Sequence, residues 1–289
     1  MAASPNAVRG ALWMGGAVLS FCAMAVAVRE LQRSMGSFEI LFVRSVVMLA
    51  IVAALLPRTP GAWRTRQLGL HVWRNLIHLA GQYLWVASIG LLTLATVFAL
   101  EFTIAVWVAV LATLFLHERL TSPRLVQLAL GVAGILIILR PGTMSFDPAA
   151  LLMLLGSMCY AASIVLTKRI SAQDSAPTVL FWMSLLQMPV TLVAALPQWV
   201  TPPAASLPWA ALIGAASYCA HYCMTRSLMQ ADATVVAPID FIRLPLIAVL
   251  GALLYGEAFD PLVIAGAVII FAGTYYSIRR DTSRGGENA

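Results

Sequence analysis

The sequence predicts an all-α integral membrane protein of ten transmembrane helices, built as two inverted five-helix repeats with both termini cytoplasmic. Three observations carry that expectation. The 289 residues are 61% hydrophobic and only 10% charged, against roughly 25% charged in soluble domains, so the chain lacks the polar surface of a water-facing globule. Apolar stretches long enough to cross the hydrocarbon as helices recur from end to end, and the short alternating segments of a β-barrel are absent. The chain also matches itself after a shift of 139 positions.

The expected spans are 9–28, 38–56, 70–91, 94–116, 121–140, 149–168, 177–197, 207–228, 233–255 and 260–279. The first follows Arg9 and ends like a signal peptide, in Ala-Met-Ala-Val-Ala before Arg29. Its counterpart at 149–168 assigns it instead to the mature fold. The second span stops at Pro-Arg-Thr-Pro-Gly (57–61), and the third is the most polar, with Asn75, His78, Gln82 and Tyr83. The fourth carries Glu101 and Trp107, and the fifth closes at Pro-Gly (141–142). In the second half, Ser-Ala-Gln-Asp (171–174) and Thr-Pro-Pro (201–203) end the sixth and seventh spans. The eighth contains Cys219-Ala-His221-Tyr-Cys223, where His221 points off the face shared by the two thiols, so packing is expected rather than zinc. The ninth holds Ala-Pro-Ile-Asp-Phe-Ile-Arg-Leu-Pro (237–245), and the tenth ends at Arg279-Arg280. The expected units are therefore 9–140, 149–280 and a cytoplasmic tail, 281–289.

Under the shift Glu118 falls on Glu257, Tyr83 on Tyr222, Ser45 on Ser184, Gly134 on Gly273, Arg140 on Arg279 and Glu101-Phe102 on Asp240-Phe241. An odd number of spans per copy turns the second copy over relative to the first. With both termini inside, thirteen basic residues lie in inner segments and only Arg29, Arg33 and Arg140 in outer ones, the bias expected for cytoplasmic loops. A net charge of +6 distributed this way reflects membrane orientation and not affinity for nucleic acid.

Arg44, Glu101, Asp240 and Arg243 lie inside spans. Each costs about 2.5–3.5 kcal/mol at a helix centre, on the order of 10 kcal/mol for the set, which excludes lipid-facing positions. Asp240 and Arg243, three residues apart, share a helix face and can neutralise one another. Glu101 occupies the matching place in the first half, with Arg44 as its candidate partner. Pro238 and Pro245 each remove a backbone donor and are candidate hinges of the ninth span. His78, Tyr83, Trp107, Tyr160, Trp182 and Tyr218 complete the candidate substrate-binding set, because sparse polar groups among aromatics are what small-molecule pockets present. The competing reading for each aromatic is plain packing, and for the Asp240–Arg243 pair a structural register lock. A zwitterionic cargo needs both signs, a cation for its carboxylate and an acid for its ammonium.

Two five-helix halves, the glutamates of Phe-Leu-His-Glu118-Arg-Leu-Thr and Leu-Tyr-Gly-Glu257, and the glycine-containing helix after each resemble the drug/metabolite transporter superfamily. Within it the chain resembles the ten-helix EamA-type exporters, most of all the branch that exports aromatic amino acids. The resemblance implies a bacterial inner-membrane transporter with a central cavity, moving amino acids or similar small metabolites. Its expected partners are that small molecule and the lipid bilayer, with no nucleic acid, no cofactor and a monomeric state. Efflux of lipophilic drugs is one alternative, disfavoured by intramembrane arginines, and export of other metabolites, riboflavin-like or sugar compounds, is another. A membrane-embedded enzyme is disfavoured because no HExxH, GxSxG or Walker motif occurs.

Overall fold

The structure, a computed structural model, describes residues 5–59, 61–116, 121–143, 147–231 and 233–287. Twelve helices account for the described fold: α1 (Pro5–Leu31), α2 (Ser37–Leu55), α3 (Leu68–Leu91), α4 (Leu94–Glu101), α5 (Ile104–Leu116), α6 (Ser122–Leu139), α7 (Ala149–Ile170), α8 (Ala176–Ala195), α9 (Leu207–Gln230), α10 (Ala233–Phe241), α11 (Arg243–Tyr255) and α12 (Pro261–Glu287). No strand occurs among the described residues. Among the described residues eight segments are long and apolar enough to cross a membrane, two of them made from α4 with α5 and from α10 with α11. The expected third and eighth spans correspond to α3 and α9, each of 24 residues, about 36 Å at 1.5 Å per residue. They have the length but carry too many polar side chains to rank with the eight; the polar groups turn inward, as His71, Arg74, Asn75, His78 and Gln82 of α3 are all buried.

Packing follows the internal repeat. The α1 helix lies along α9 as α7 lies along α3, α1 meets α10 as α7 meets α4, and α2 with α8 and α6 with α12 pair across the halves. The α6–α12 crossing brings backbones together: a Cβ on Gly134 would sit 2.6 Å from the Gly266 carbonyl, and one on Gly266 would sit 2.7 Å from that of Gly134. Absent side chains at these two sites let the helices approach without the hydrophobic drive that lipid cannot supply.

The two broken helices part at equivalent places. α4 stops at Glu101 and α5 resumes at Ile104, while α10 stops at Phe241 and α11 resumes at Arg243. Pro238 lies within α10 and Pro245 in the first turn of α11, so the break at Ile242 falls between them. In the first half no proline is present at the corresponding sites. There the buried Thr103 turns the chain, its hydroxyl donating to the Leu100 carbonyl at 2.6 Å.

At the ends, Thr93 caps α4 and Ser175 caps α8 through side-chain oxygens. Glu257, read from sequence as a helix-boundary residue, reaches across: its carboxylate accepts the Leu94 amide at 2.8 Å and Arg29 Nη2 at 2.9 Å. Glu118 lies outside the described residues. Arg140 ends α6 in the left-handed conformation, φ 48°, and donates to Asp260 at the head of α12. Partial burial alone raises the Asp260 carboxyl, but hydrogen bonds from Arg140 and the Leu262 amide outweigh it and hold the group below its ordinary range.

Candidate functional site

The helix breaks carry charge. Glu101 is the last residue of α4, Asp240 is next to last in α10, and Arg243 is the first of α11. Helix dipoles oppose all three, since carboxylates are disfavoured at C-termini and guanidiniums at N-termini. Their neighbours offset this. Arg243 Nη1 lies 3.2 Å from Glu101 Oε1 and its Nη2 3.6 Å from Asp240 Oδ2. Trp85 Nε1 donates to Glu101 Oε2 at 2.9 Å. The guanidinium carbon sits 4.8, 5.2 and 5.4 Å from the ring centres of Phe21, Phe98 and Phe102, so three π-faces contribute to holding the cation. Asp240 is the most open of the three, with 21% of its side chain exposed, and its buried Oδ1 has no partner. This group of two acids and one base joins both halves and carries an excess of negative charge.

Arg44 does not pair with Glu101, contrary to the sequence expectation. It belongs to a second group between α2, α3, α8 and α9. Its Nη2 donates to Gln82 Oε1 at 2.8 Å and Gln187 Oε1 at 2.9 Å, and its Nη1 to Ser217 Oγ at 3.4 Å. Every acceptor is neutral, Arg44 is 3% exposed, and its Nε is buried without a partner. Gln187 Nε2 continues the network to His78 Nδ1 at 3.2 Å and to Asn75 Oδ1 at 3.5 Å. Arg74, 6% exposed, donates to the same Asn75 Oδ1 at 2.9 Å and to Thr167 Oγ1 at 3.1 Å. His78 faces Tyr160 and His221, with ring centres 5.4 and 6.2 Å away. Tyr160 lies within electrostatic reach of both Arg44 and Glu101.

The structure thus gathers Arg44, His78 and Tyr160 in one place and Glu101, Asp240 and Arg243 in another. The other candidates stay in separate aromatic pairs. Tyr83 stacks on Phe38 at 4.4 Å and Tyr218 on Tyr222 at 5.8 Å. Trp182 meets Phe181 and lies near His71, and Trp107 on α5 has a buried Nε1 without a partner. Sequence reasoning passes over Trp85, Arg74, Gln187 and Ser217. Arg74 lies only four residues inside a third span started at 70, and there counts with the inner basic charges. Gln187 sits at the middle of its span, where an unpaired amide is as conspicuous as a charge. Glu39 is also buried, with both carboxylate oxygens unpartnered; it occupies the first turn of α2, where free helix amides favour an anion.

Comparison with known proteins follows from this geometry. The EamA-like transporter family matches residues 8–140 and again residues 147–279. An S-adenosylmethionine uptake transporter of Rickettsia prowazekii (strain Madrid E) is 26% identical over 84% of this chain and 83% of its own length. A riboflavin transporter of Brucella anthropi is 30% identical over 85% of this chain and 89% of its own. A pseudopaline exporter of Pseudomonas aeruginosa is 27% identical over 88% and 90%. A solved crystal structure superposes with TM-score 0.66 at 15% identity, covering 92% of this chain and 95% of that one, and shares the fold. These relatives do not support the expected placement in the aromatic amino acid exporter branch. A chain with apolar spans throughout, matched twice by one family, belongs to the EamA-like transporter family and is a multi-pass membrane transporter.

Proposed function

We propose that the protein carries small zwitterionic metabolites, amino acids or compounds built on them, across the bacterial inner membrane by alternating access. One observation supports the reading above the rest: the interior separates an acid-rich group, Glu101, Asp240 and Arg243, from a cationic group around Arg44. A cargo ammonium is drawn to the first and a carboxylate to the second, where Tyr160 lies against His78. Arg243 is reassigned from cargo carboxylate to internal counter-ion, because two acids already occupy it. Arg44 is satisfied only by neutral oxygens and keeps its charge for a ligand. S-adenosylmethionine, named for one relative, itself carries an amino acid head, and relatives named for uptake and for export are consistent with one carrier design serving either direction.

Alternating access draws support from an asymmetry between the ends. α4 packs against α11, whereas their counterparts α10 and α5 make no comparable contact. Inverted halves related by a two-fold axis would exchange these two arrangements during transport. The test is uptake of radiolabelled leucine, phenylalanine, S-adenosylmethionine and riboflavin into proteoliposomes. We expect saturable flux of compounds with an amino acid head, reduced at least tenfold by Arg44→Gln, about the worth of a charge-assisted hydrogen bond. Flux confined to riboflavin or to lipophilic cations, or flux unchanged in Arg44→Gln, would overturn the reading.

A further inference from the structure

Arg44 and Arg74 share a feature found nowhere else in the described interior: both are almost fully buried guanidiniums whose hydrogen bonds all go to neutral acceptors. They are joined through two side-chain amides. Gln187 accepts from Arg44 at 2.9 Å and donates to Asn75 Oδ1 at 3.5 Å, and that same oxygen accepts from Arg74 at 2.9 Å. Among the described residues no acid pairs with either guanidinium. Asp174 accepts from Thr65 at 2.6 Å and lies 2.8 Å from His71 Nε2. Glu39 stands five residues before Arg44 on α2, about 140° round the helix from it. Arg243 already has Glu101 and Asp240.

The two polar groups therefore set three guanidiniums, Arg44, Arg74 and Arg243, against two carboxylates, Glu101 and Asp240; Glu39, also buried, sits in the first turn of α2 and bonds to neither group. A cargo with one ammonium and one carboxylate leaves that balance with one positive charge in excess. A cargo with one ammonium and two carboxylates closes it. Buried like charges without counter-ions are costly, and an amide bridge holding two guanidiniums apart suits two separated carboxylates.

We infer that Arg44 and Arg74 form a paired site for a dicarboxylate, and that the preferred cargo is an amino-bearing dicarboxylic metabolite. The amino end of this assignment rests on the zwitterion reading above; the paired anion site does not. Arg74 is the residue that distinguishes two carboxylates from one.

Thermal unfolding of the purified full chain in detergent, with glutarate or acetate at matched ionic strength, tests the site without requiring transport. Glutarate is expected to raise the Tm several degrees more than acetate in the wild type, to keep part of that margin in Arg74→Lys, and to lose it in Arg74→Gln. In proteoliposomes, glutamate is expected to compete for leucine flux about tenfold better than alanine, with the margin lost in Arg74→Gln and partly kept in Arg74→Lys. Equal stabilisation by glutarate and acetate overturns the inference, as does stabilisation by chloride as strong as by glutarate, which would mark an inorganic-anion site. Equal loss of leucine and glutamate handling in both Arg74 variants overturns it too, because a merely structural arginine behaves that way. Glutarate-specific, Arg74-dependent stabilisation without any amino acid flux supports the paired site and sinks the zwitterion-carrier reading alone. Should Arg74→Gln fail to fold, the wild-type and Arg74→Lys arms decide.

Discussion

Arg243 is held on several sides by groups of the protein itself. It is 5% exposed, between two carboxylates and under three phenyl rings. Replacing it with glutamine leaves Glu101 and Asp240 close together with no counter-ion, and we expect a loss of about 3–5 kcal/mol, the usual cost of breaking a buried pair from one side. Asp240→Asn should differ. Its contact to Arg243 is longer, at 3.6 Å, and its side chain is the more open, so a loss of about 1 kcal/mol or less is expected, with transport falling more than stability. Unfolding in mixed micelles, followed by tryptophan fluorescence, separates the two; equal losses would mean that Asp240 is a structural acid. The Asp240–Arg243 pairing was legible because three residues on a helix is a local relation. Which base meets Glu101 was not, since that choice depends on how α4 and α11 pack across the halves. Arg44 therefore looked like the natural partner until Gln82, Gln187 and Ser217 were seen around it.

At the scale of elements, glycines fix how closely helices pair and breaks fix where charge can be held. The α6–α12 crossing has no room for a side chain at Gly134, where even a Cβ would lie 2.6 Å from a backbone carbonyl. Gly134→Val is expected to lower stability by about 1–3 kcal/mol through overpacking and to reduce the yield of folded protein in membranes. Gly142, at φ 82° with open space around it, lies in a turn away from this crossing and provides a contrast: strain there acts on the turn alone. A Gly134→Val protein as stable as the wild type would mean that α6 and α12 can separate freely. The paired glycines stood out in the sequence as features of the last helix of each half, but the partner of Gly134 is Gly266, not its repeat counterpart Gly273. Pro238 and Pro245 mark a hinge in the ninth span, and the break at Ile242 falls between them. The break in the fourth span has no proline to announce it; there the buried Thr103 turns the chain.

For the molecule as a whole, the question is whether one end must open for cargo to pass. At the end carrying the α1–α2 turn, contacts cross the halves. Arg29 bonds Glu257 at 2.9 Å and the Leu92 carbonyl at 2.8 Å, and the Ser34 and Ser206 hydroxyls are 3.0 Å apart. Ser34 leaves α1 and Ser206 precedes α9, and hydroxyls this close make the pair a candidate site for an engineered disulfide. A Ser34→Cys/Ser206→Cys protein, made in a background where Cys22, Cys159, Cys219 and Cys223 are replaced, should cross-link under mild oxidant. If this end opens in each cycle, the cross-linked protein binds cargo from the other side but does not complete transport, and reductant restores the flux. The unlinked double variant should move cargo at close to the rate of its background, because both positions lie outside the two polar groups. Flux that continues undiminished after complete cross-linking would show that this end stays shut throughout, and alternating access between inverted halves would then have to be abandoned, leaving the charged interior without a path across it.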